Sequence, residues 1–374
     1  MKKVLYLRNY PDEVDLNMYN LQEIGLCKAL VNKGIDCDIV YYSKTRKTEI
    51  EIIYKHNSAK LRTIKVPSIK LFNSSIFLKI LSGKFLNKYN LIITTEYTQI
   101  MSYFLALICK KVVLLHGPYK DNRNKVLQII YDKLLVKSMN KRLQRVYVKS
   151  NNAKDYLEKK GFSNIVTLGV GLDKENFQSL EQNKDRLGNL DDLISKNKVI
   201  LYVGKLEERR NIRFLFEIFA RIKKQEKDCI LILVGDGNKQ EVLLYMEYGE
   251  NLGIIDSIVH IKKLEQKYLG YLYKNSKLFL FPTKYEIFGM VLLESMYFGV
   301  PVISSVNGGS SLLIEDDVNG YKIKDFDLDA WSERSLKLLN DEELRRKLAY
   351  NATNTISQKF SWEKISEKLI GRIE

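Results

Sequence analysis

Short runs of apolar residues, separated by amphipathic stretches, recur along the whole chain, and this rhythm confines the fold more than any other feature. In the first half the runs are VLYLR (4–8), CDIVYY (37–42), LIITT (91–95), VVLLH (112–116) and RVYVKS (145–150). Between the first two lies LQEIGLCKALVNKG (21–34), with Leu21, Ile24, Cys27, Leu30 and Val31 on one helical face and Gly34 at its end. Runs without alternating polar positions suit a sheet covered on both faces. Strands separated by helices predict parallel βαβ units. After a polar linker, LEQNKDRLGNLDDLISKNK (180–198), the pattern starts again: VILYVG (199–204), CILILVG (229–235), IVHI (258–261), LFLFPT (278–283) and PVISS (301–305). The expectation is an α/β chain of two Rossmann-like, doubly wound domains, 1–175 and 176–359, facing across a cleft. Ligands in such sheets bind beyond the carboxyl ends of the strands. The stretch FSWEKISEKLIGRI (360–373) carries Phe360, Trp362, Ile365, Leu369 and Ile373 on one stripe. It predicts a last amphipathic helix, with 360–374 packing back on the first domain.

Composition agrees and narrows the function. A chain of 374 residues is too long for one ordinary core, and 45% hydrophobic residues argue against disorder. The four cysteines, Cys27, Cys37, Cys109 and Cys229, have no paired spacing, which suggests a reduced, cytoplasmic setting and no zinc site. The opening MKKVLYLRNY stops being apolar at Arg8, too soon for a secretory signal. No run approaches the roughly 20 apolar residues of a membrane span. His56, His116 and His260 lie far apart, so no histidine-rich metal centre is expected. The net charge of +16 is lopsided: residues 1–175 hold 31 Lys and Arg against 15 Asp and Glu, and residues 176–374 hold 30 of each. Such a first half would attract an anionic membrane or phosphate-bearing partner, or simply be a solvated lysine-rich surface. Two basic stretches, SIKLFNSSIFLKILSGKFLNKY (68–89) and KVLQIIYDKLLVKSMNKRLQR (125–145), read either as helices at an anionic interface on the inner face of the cytoplasmic membrane or as core-facing helices with lysines outward.

The chemistry concentrates in KYEIFGMVLLESMYFGVPVISS (284–305). A buried strand ends at Pro282, and Gly289 opens the next helix. A helix start offers free N–H groups and the positive end of the dipole, a phosphate-suited arrangement. Glu294 lies about 1.5 turns into that helix, and Glu286 sits in the loop before it; carboxylates in such places accept hydrogen bonds from a sugar diol. The bland reading makes Glu286 a helix-start acid and Glu294 an exposed helical acid. A second strand–loop–helix, VGKLEERRNIRFLFEIFARIKK (203–224), puts Arg209 and Arg210 at a helix start, where cations are disfavoured. An anion held by Lys205, Arg210 and that helix start would remove the conflict. Two such starts suggest a diphosphate. The turn VGDGNKQEVLLYM (234–246) is more simply structural.

In this order the pieces resemble the retaining glycosyltransferases of family four, which have the GT-B architecture of two Rossmann-like domains. The resemblance is strongest over 199–362. It rests on EIFGMVLLE (286–294) followed by GVPVISS, on VGKL…RRN, on SSLLIEDDVNGYKI (310–323), on GVGLDKENF (169–177), on FSWEKISEKL and on HGPY (116–119). It implies that Glu294 binds the nucleotide ribose and that Glu286 contacts the transferred sugar. Lys205 and Arg210 would neutralise the diphosphate. Gly204 and the backbone of Phe288, Gly289, Met290 and Val291 would hold the donor, and His116 would orient its sugar. It further implies a UDP- or GDP-sugar substrate, no metal and no other cofactor, and a hexose-type sugar moved with retention to a glycan or lipid-linked acceptor, as in bacterial surface polysaccharide synthesis. Two departures stand out: YPDEVDLNMYN (10–20) lacks the family's early glycine pair, and Lys262 and Lys263 stand where a glycine is common. Competing readings are a sugar-nucleotide epimerase or phosphorylase on the same architecture, and a non-catalytic binding subunit. No nucleic-acid recognition module is visible, so nucleic acid is not an expected partner.

Overall fold

The computed structural model describes residues 2–16, 21–45, 47–71, 73–121, 124–173, 189–371 and 373. The chain divides into two compact units, Met1–Gly171 with Phe360–Glu374, and Leu172–Lys359. The expected boundary at 175/176 and the first part of the 180–198 linker lie outside the described residues, as do 17–20 of the YPDEVDLNMYN loop.

The first unit contains strands β1 (Lys3–Leu7), β2 (Asp36–Tyr42), β3 (Glu49–His56), β4 (Ala59–Val66), β5 (Ile69–Leu71), β6 (Ser74–Ile76), β7 (Leu91–Thr95), β8 (Val112–His116), β9 (Arg145–Val148) and β10 (Ile165–Thr167). Eight of them form one sheet, in the order β10-β9-β8-β7-β1-β2-β4-β3. All its pairings are parallel except the β3–β4 hairpin. The central strands are buried along their length, as the continuous apolar runs require. The edge strand β3 is mostly exposed and carries Glu49, Glu51 and Lys55, charges that discourage pairing with another chain. Helix Trp362–Ile370 belongs to this unit and packs on helix Gln22–Asn32. Trp362 meets the backbone at Gly25 and Gly171, and Tyr147 Oη donates to the Lys368 carbonyl at 3.4 Å.

The stretch 68–89 is not the single helical run expected on either reading of it. It is a two-stranded ribbon, β5–β6, followed by turns and the short helix Gly83–Leu86. Phe77, Ile80 and Leu86 are buried in the unit's own core, so they cannot reach a membrane. The apolar spacing imitates a helical stripe, but the chain turns back between β5 and β6 and turns again before the short helix. Phe72 lies outside the described residues.

The second unit holds β11 (Lys198–Val203), β12 (Cys229–Val234), β13 (Ile258–Ile261), β14 (Leu278–Phe281), β15 (Val302–Ser305) and β16 (Tyr321–Ile323). Their order is β13-β12-β11-β14-β15-β16, all parallel. That is the doubly wound order in which the connection reverses between the first and fourth strands. The helix Ile212–Gln225 buries Ile212, Leu215, Phe216, Phe219 and Ile222 completely or nearly so, the face expected from the sequence. Among the described residues the four cysteines are free, and no helix is long and apolar enough to cross a membrane.

Candidate active site

In a doubly wound sheet the ligand crevice opens where the strand order reverses, because the flanking loops diverge there. In the second unit that point lies between β11 and β14. The loop after β11 carries Gly204, Lys205, Glu207, Arg209 and Arg210; the loop after β14 carries Lys284, Tyr285 and Glu286. The two loops are joined. Arg210 Nη1 donates to Glu286 Oε2, and Arg209 Nη1 lies 3.8 Å from the same oxygen and donates to the Tyr285 carbonyl at 2.9 Å. The Lys284 N–H donates to the Arg209 carbonyl at 2.8 Å. The Arg210 guanidinium also stands over the Phe281 ring, 5.3 Å from its centroid.

The charge conflict read from the sequence, two arginines at a helix start, is met inside the chain. Glu207 lies 2.6 Å from Arg209 and Glu286 faces both arginines. Asn211 makes the bend between the short turn Glu208–Arg210 and helix Ile212–Gln225 in the left-handed region, at φ 59°, a conformation asparagine tolerates. Lys205 is exposed, and its carbonyl accepts from the buried Tyr202 hydroxyl at 3.0 Å. Burial first holds that phenol well above its ordinary pKa, opposed by the nearby Arg210 and Arg209. The Gly204 N–H donates to the Val234 carbonyl, and Leu206 N–H to the Asp236 carbonyl at 3.0 Å. The VGDG turn therefore braces this loop, which is the structural role the sequence suggested.

Helix Met290–Tyr297 begins at Gly289, whose φ of 79° suits glycine and few other residues. Phe288 is buried; Met290 and Val291 are partly exposed at the helix start. Glu286 Oε1 accepts from the Ile287 N–H at 3.0 Å, which fixes the carboxylate over the loop. Glu294 is fully buried, contrary to the bland reading of an exposed acid, and accepts from Tyr273 Oη at 3.1 Å. The loop Glu286–Phe288 rests on Gly308 and Gly309. The Gly308 N–H donates to the Glu286 carbonyl at 3.0 Å, and a Cβ on Gly309 would fall 1.4 Å from the Phe288 oxygen. Sequence reasoning passed over this glycine pair; its signal was the Asn-Gly-Gly after PVISS.

The first unit has its own reversal point, between β1 and β7. Asn9, after β1, is buried, and its Nδ2 donates to Thr94 Oγ1, to Ser102 Oγ and to the Thr95 carbonyl at 2.8 to 3.0 Å. His116 ends β8, fully buried, with Tyr156 stacked on it at 6.1 Å and Tyr97 edge-on at 5.2 Å. Glu96, after β7, places Oε2 2.5 Å from His116 Nδ1. The two groups are close, but among the described residues neither ring nitrogen has a hydrogen-bond partner. Glu96 adopts φ 60°, a conformation a glutamate rarely accepts, while its N–H is held by the Leu115 carbonyl at 3.0 Å. The Tyr10 phenol, raised in pKa first by burial and then by the Glu96 charge, belongs to the same cluster. Nothing in the sequence distinguished Glu96 from any acid after a strand. Only the register of β7 beside β8 pairs it with His116.

Residues 189–355, somewhat under half of the chain, match the family model described as Glycosyl transferases group 1. N-acetyl-alpha-D-glucosaminyl L-malate synthase of Bacillus anthracis is 32% identical over 168 residues, 45% of this chain and 43% of that protein. The capsular polysaccharide biosynthesis glycosyltransferase CapM of Staphylococcus aureus is 29% identical over 234 residues, 61% of this chain and 58% of CapM. The match thus spans less than two thirds of either relative. Among solved structures, Anabaena HepE in complex with UDP-glucose superposes with a TM-score of 0.70 over 99% of both chains, at 15% identity. In sequence, residues 189–355 are similar to group 1 glycosyl transferases, and from end to end the chain has the α/β fold of the GT-B class, two parallel-sheet units in tandem.

Proposed function

We propose that this chain is a metal-independent, retaining glycosyltransferase that moves a hexose-type sugar from a UDP- or GDP-sugar to a glycan or lipid-linked acceptor, in bacterial surface polysaccharide synthesis at the inner face of the cytoplasmic membrane. The observation that carries the reading is the meeting of Arg210 and Glu286 at the reversal point of the second sheet, beside a glycine-opened helix start. The similarity to group 1 glycosyl transferases, the UDP-glucose held by HepE and the capsular role in CapM's name support it.

In this reading the leaving diphosphate gains negative charge as the glycosidic bond breaks. Arg210, Lys205 and the N–H groups at Met290 and Val291 stabilise that charge. Glu294 accepts from the ribose hydroxyls, and Glu286 holds the sugar near its reacting carbon. His116 orients the donor sugar, and the acceptor attacks from the leaving-group face, its proton passing to the departing diphosphate. Calorimetry with UDP- and GDP-sugars tests the donor site: Glu294→Ala weakens binding by roughly 1–3 kcal/mol, the cost of unpaired polar groups. Unchanged affinity refutes the site. Product analysis with acceptor omitted separates transfer from epimerisation, which needs none.

A further inference from the structure

Residues 125–142 run as helix Lys125–Tyr131, a widened turn Asp132–Val136 and helix Lys137–Arg142. One side is anchored inside the first unit. Gln128 is buried and donates to Tyr97 Oη at 2.8 Å, Tyr131 Oη donates to the Tyr97 carbonyl at 2.7 Å, and Val136 and Met139 enter the core. The other side leaves large aliphatic groups in water: Val126 is 67% exposed, Leu127 51%, Ile129 51%, Ile130 47% and Leu134 69%. Helix Ile100–Ile108, packed against Lys137–Arg142, ends on two more exposed residues, Leu107 and Ile108. Scattered exposed aliphatics are ordinary; five within nine positions on one helical face are not.

The charges around this face have one sign. Lys125, Lys133, Lys137, Lys141 and Arg142 are exposed. Asp132 is the sole acid between 124 and 142 in the sequence, and it turns inward to Lys160 at 2.7 Å; Asp121, just before, meets the same ammonium at 2.5 Å. The widened turn lets the chain keep both Asp132 and Val136 inward while Lys133 and Leu134 face out.

We propose that this face docks the protein on an anionic lipid bilayer, its aliphatic groups entering the headgroup boundary and its lysines meeting lipid phosphates. A second copy of the chain fits poorly, because a two-fold contact would set these cations against themselves. A single-stranded nucleic acid asks for exposed aromatic stacking groups, whereas the large exposed apolar residues of this face are all aliphatic. The inference deepens the proposed function by naming where a lipid-linked acceptor would be met, and it is tested separately from it.

The experiment is flotation of the full chain with phosphatidylcholine vesicles, with and without phosphatidylglycerol. The wild type is expected to float with the anionic vesicles only, less so as salt rises. Lys133→Glu/Lys137→Glu/Lys141→Glu is expected to lower partitioning about a hundredfold, and Leu127→Ser/Ile130→Ser/Leu134→Ser to lower it comparably. Both variants change exposed groups, so circular dichroism and sugar-nucleotide binding remain as in the wild type. A wild type that stays with the unbound fraction overturns the proposal. So does vesicle binding that both variants keep, or a concentration-dependent dimer that only the aliphatic variant abolishes. Loss of sugar-nucleotide binding in the wild type strikes the proposed function alone.

Discussion

Arg210 already has a carboxylate partner, and that shapes what a diphosphate must do to bind. Both groups are mostly buried, so their attraction is screened less than on an open surface. An incoming dianion has to draw Arg210 from Glu286 or share it. On the proposed function, Glu286→Gln is therefore expected to tighten UDP by about fivefold, near 1 kcal/mol, while sugar transfer falls by about a hundredfold as the proposed electrostatic contact at the reacting carbon is lost. Calorimetry with UDP and a product assay measure the two effects. Parallel weakening of both would show that Glu286 builds the phosphate site instead of competing for it. Glu96 poses the corresponding question at His116. A glutamate held at positive φ costs about 1–3 kcal/mol and persists only where the surroundings impose it. On the proposed function, the carboxylate lying close to Nδ1, without hydrogen-bonding it, biases the ring toward the tautomer protonated there and leaves Nε2 to the donor sugar. In Glu96→Gln this preference is expected to disappear and turnover to drop about tenfold. With three histidines in the chain, ring nitrogen shifts assign readily; an unchanged His116 pattern removes Glu96 from this role.

Whole elements depend on glycines that no periodicity reveals. Loop Glu286–Phe288 lies directly on Gly309, and a methyl there would overlap the Phe288 oxygen. Gly309→Ala is expected to cost about 1–3 kcal/mol and to abolish sugar-nucleotide binding before it abolishes folding, as thermal melting followed with and without UDP will show. Trp362 similarly fixes the last helix. It is 8% exposed and packs where Gly25 and Gly171 leave room. Trp362→Ala is expected to lower the stability of the first unit by about 3–5 kcal/mol, measured by denaturant unfolding; a loss near zero would mean that the helix is only loosely held. Elements with an unbroken apolar run or a clean helical stripe were readable from the sequence, among them β7, β8 and helix Ile212–Gln225. The β3–β4 hairpin was not, because β3 is an exposed edge strand with charges at several positions and no buried run to announce it. Stretch 68–89 misled because lysines spaced among aliphatics suit a helix, a ribbon and a turn alike, and only packing chooses.

Across the whole molecule the two units differ in what they present. The first carries the entire excess of positive charge and the exposed aliphatic face of 125–142; the second carries the paired arginines and the glycine-opened helix. Hydrogen exchange in the presence of UDP-glucose is thus expected to slow at 204–211 and 284–291 and to leave β3–β4 unchanged. Protection confined to the first unit would contradict the donor assignment. The class of fold was already legible along the chain, since continuous apolar runs alternating with amphipathic stretches are best buried as parallel sheets layered with helices. The sequence also shows which strand-to-helix loops carry clustered charge, Lys205 to Arg210 and Lys284 to Glu286. That Arg210 and Glu286, 76 positions apart, are partners came from folding in three dimensions. Folding likewise decided that Glu96 faces His116 and that Glu294 is buried. These outcomes depend on β14 lying beside β11, and β7 beside β8. Strand order is settled by how all the helices share the two faces of a sheet, which no local run of residues encodes.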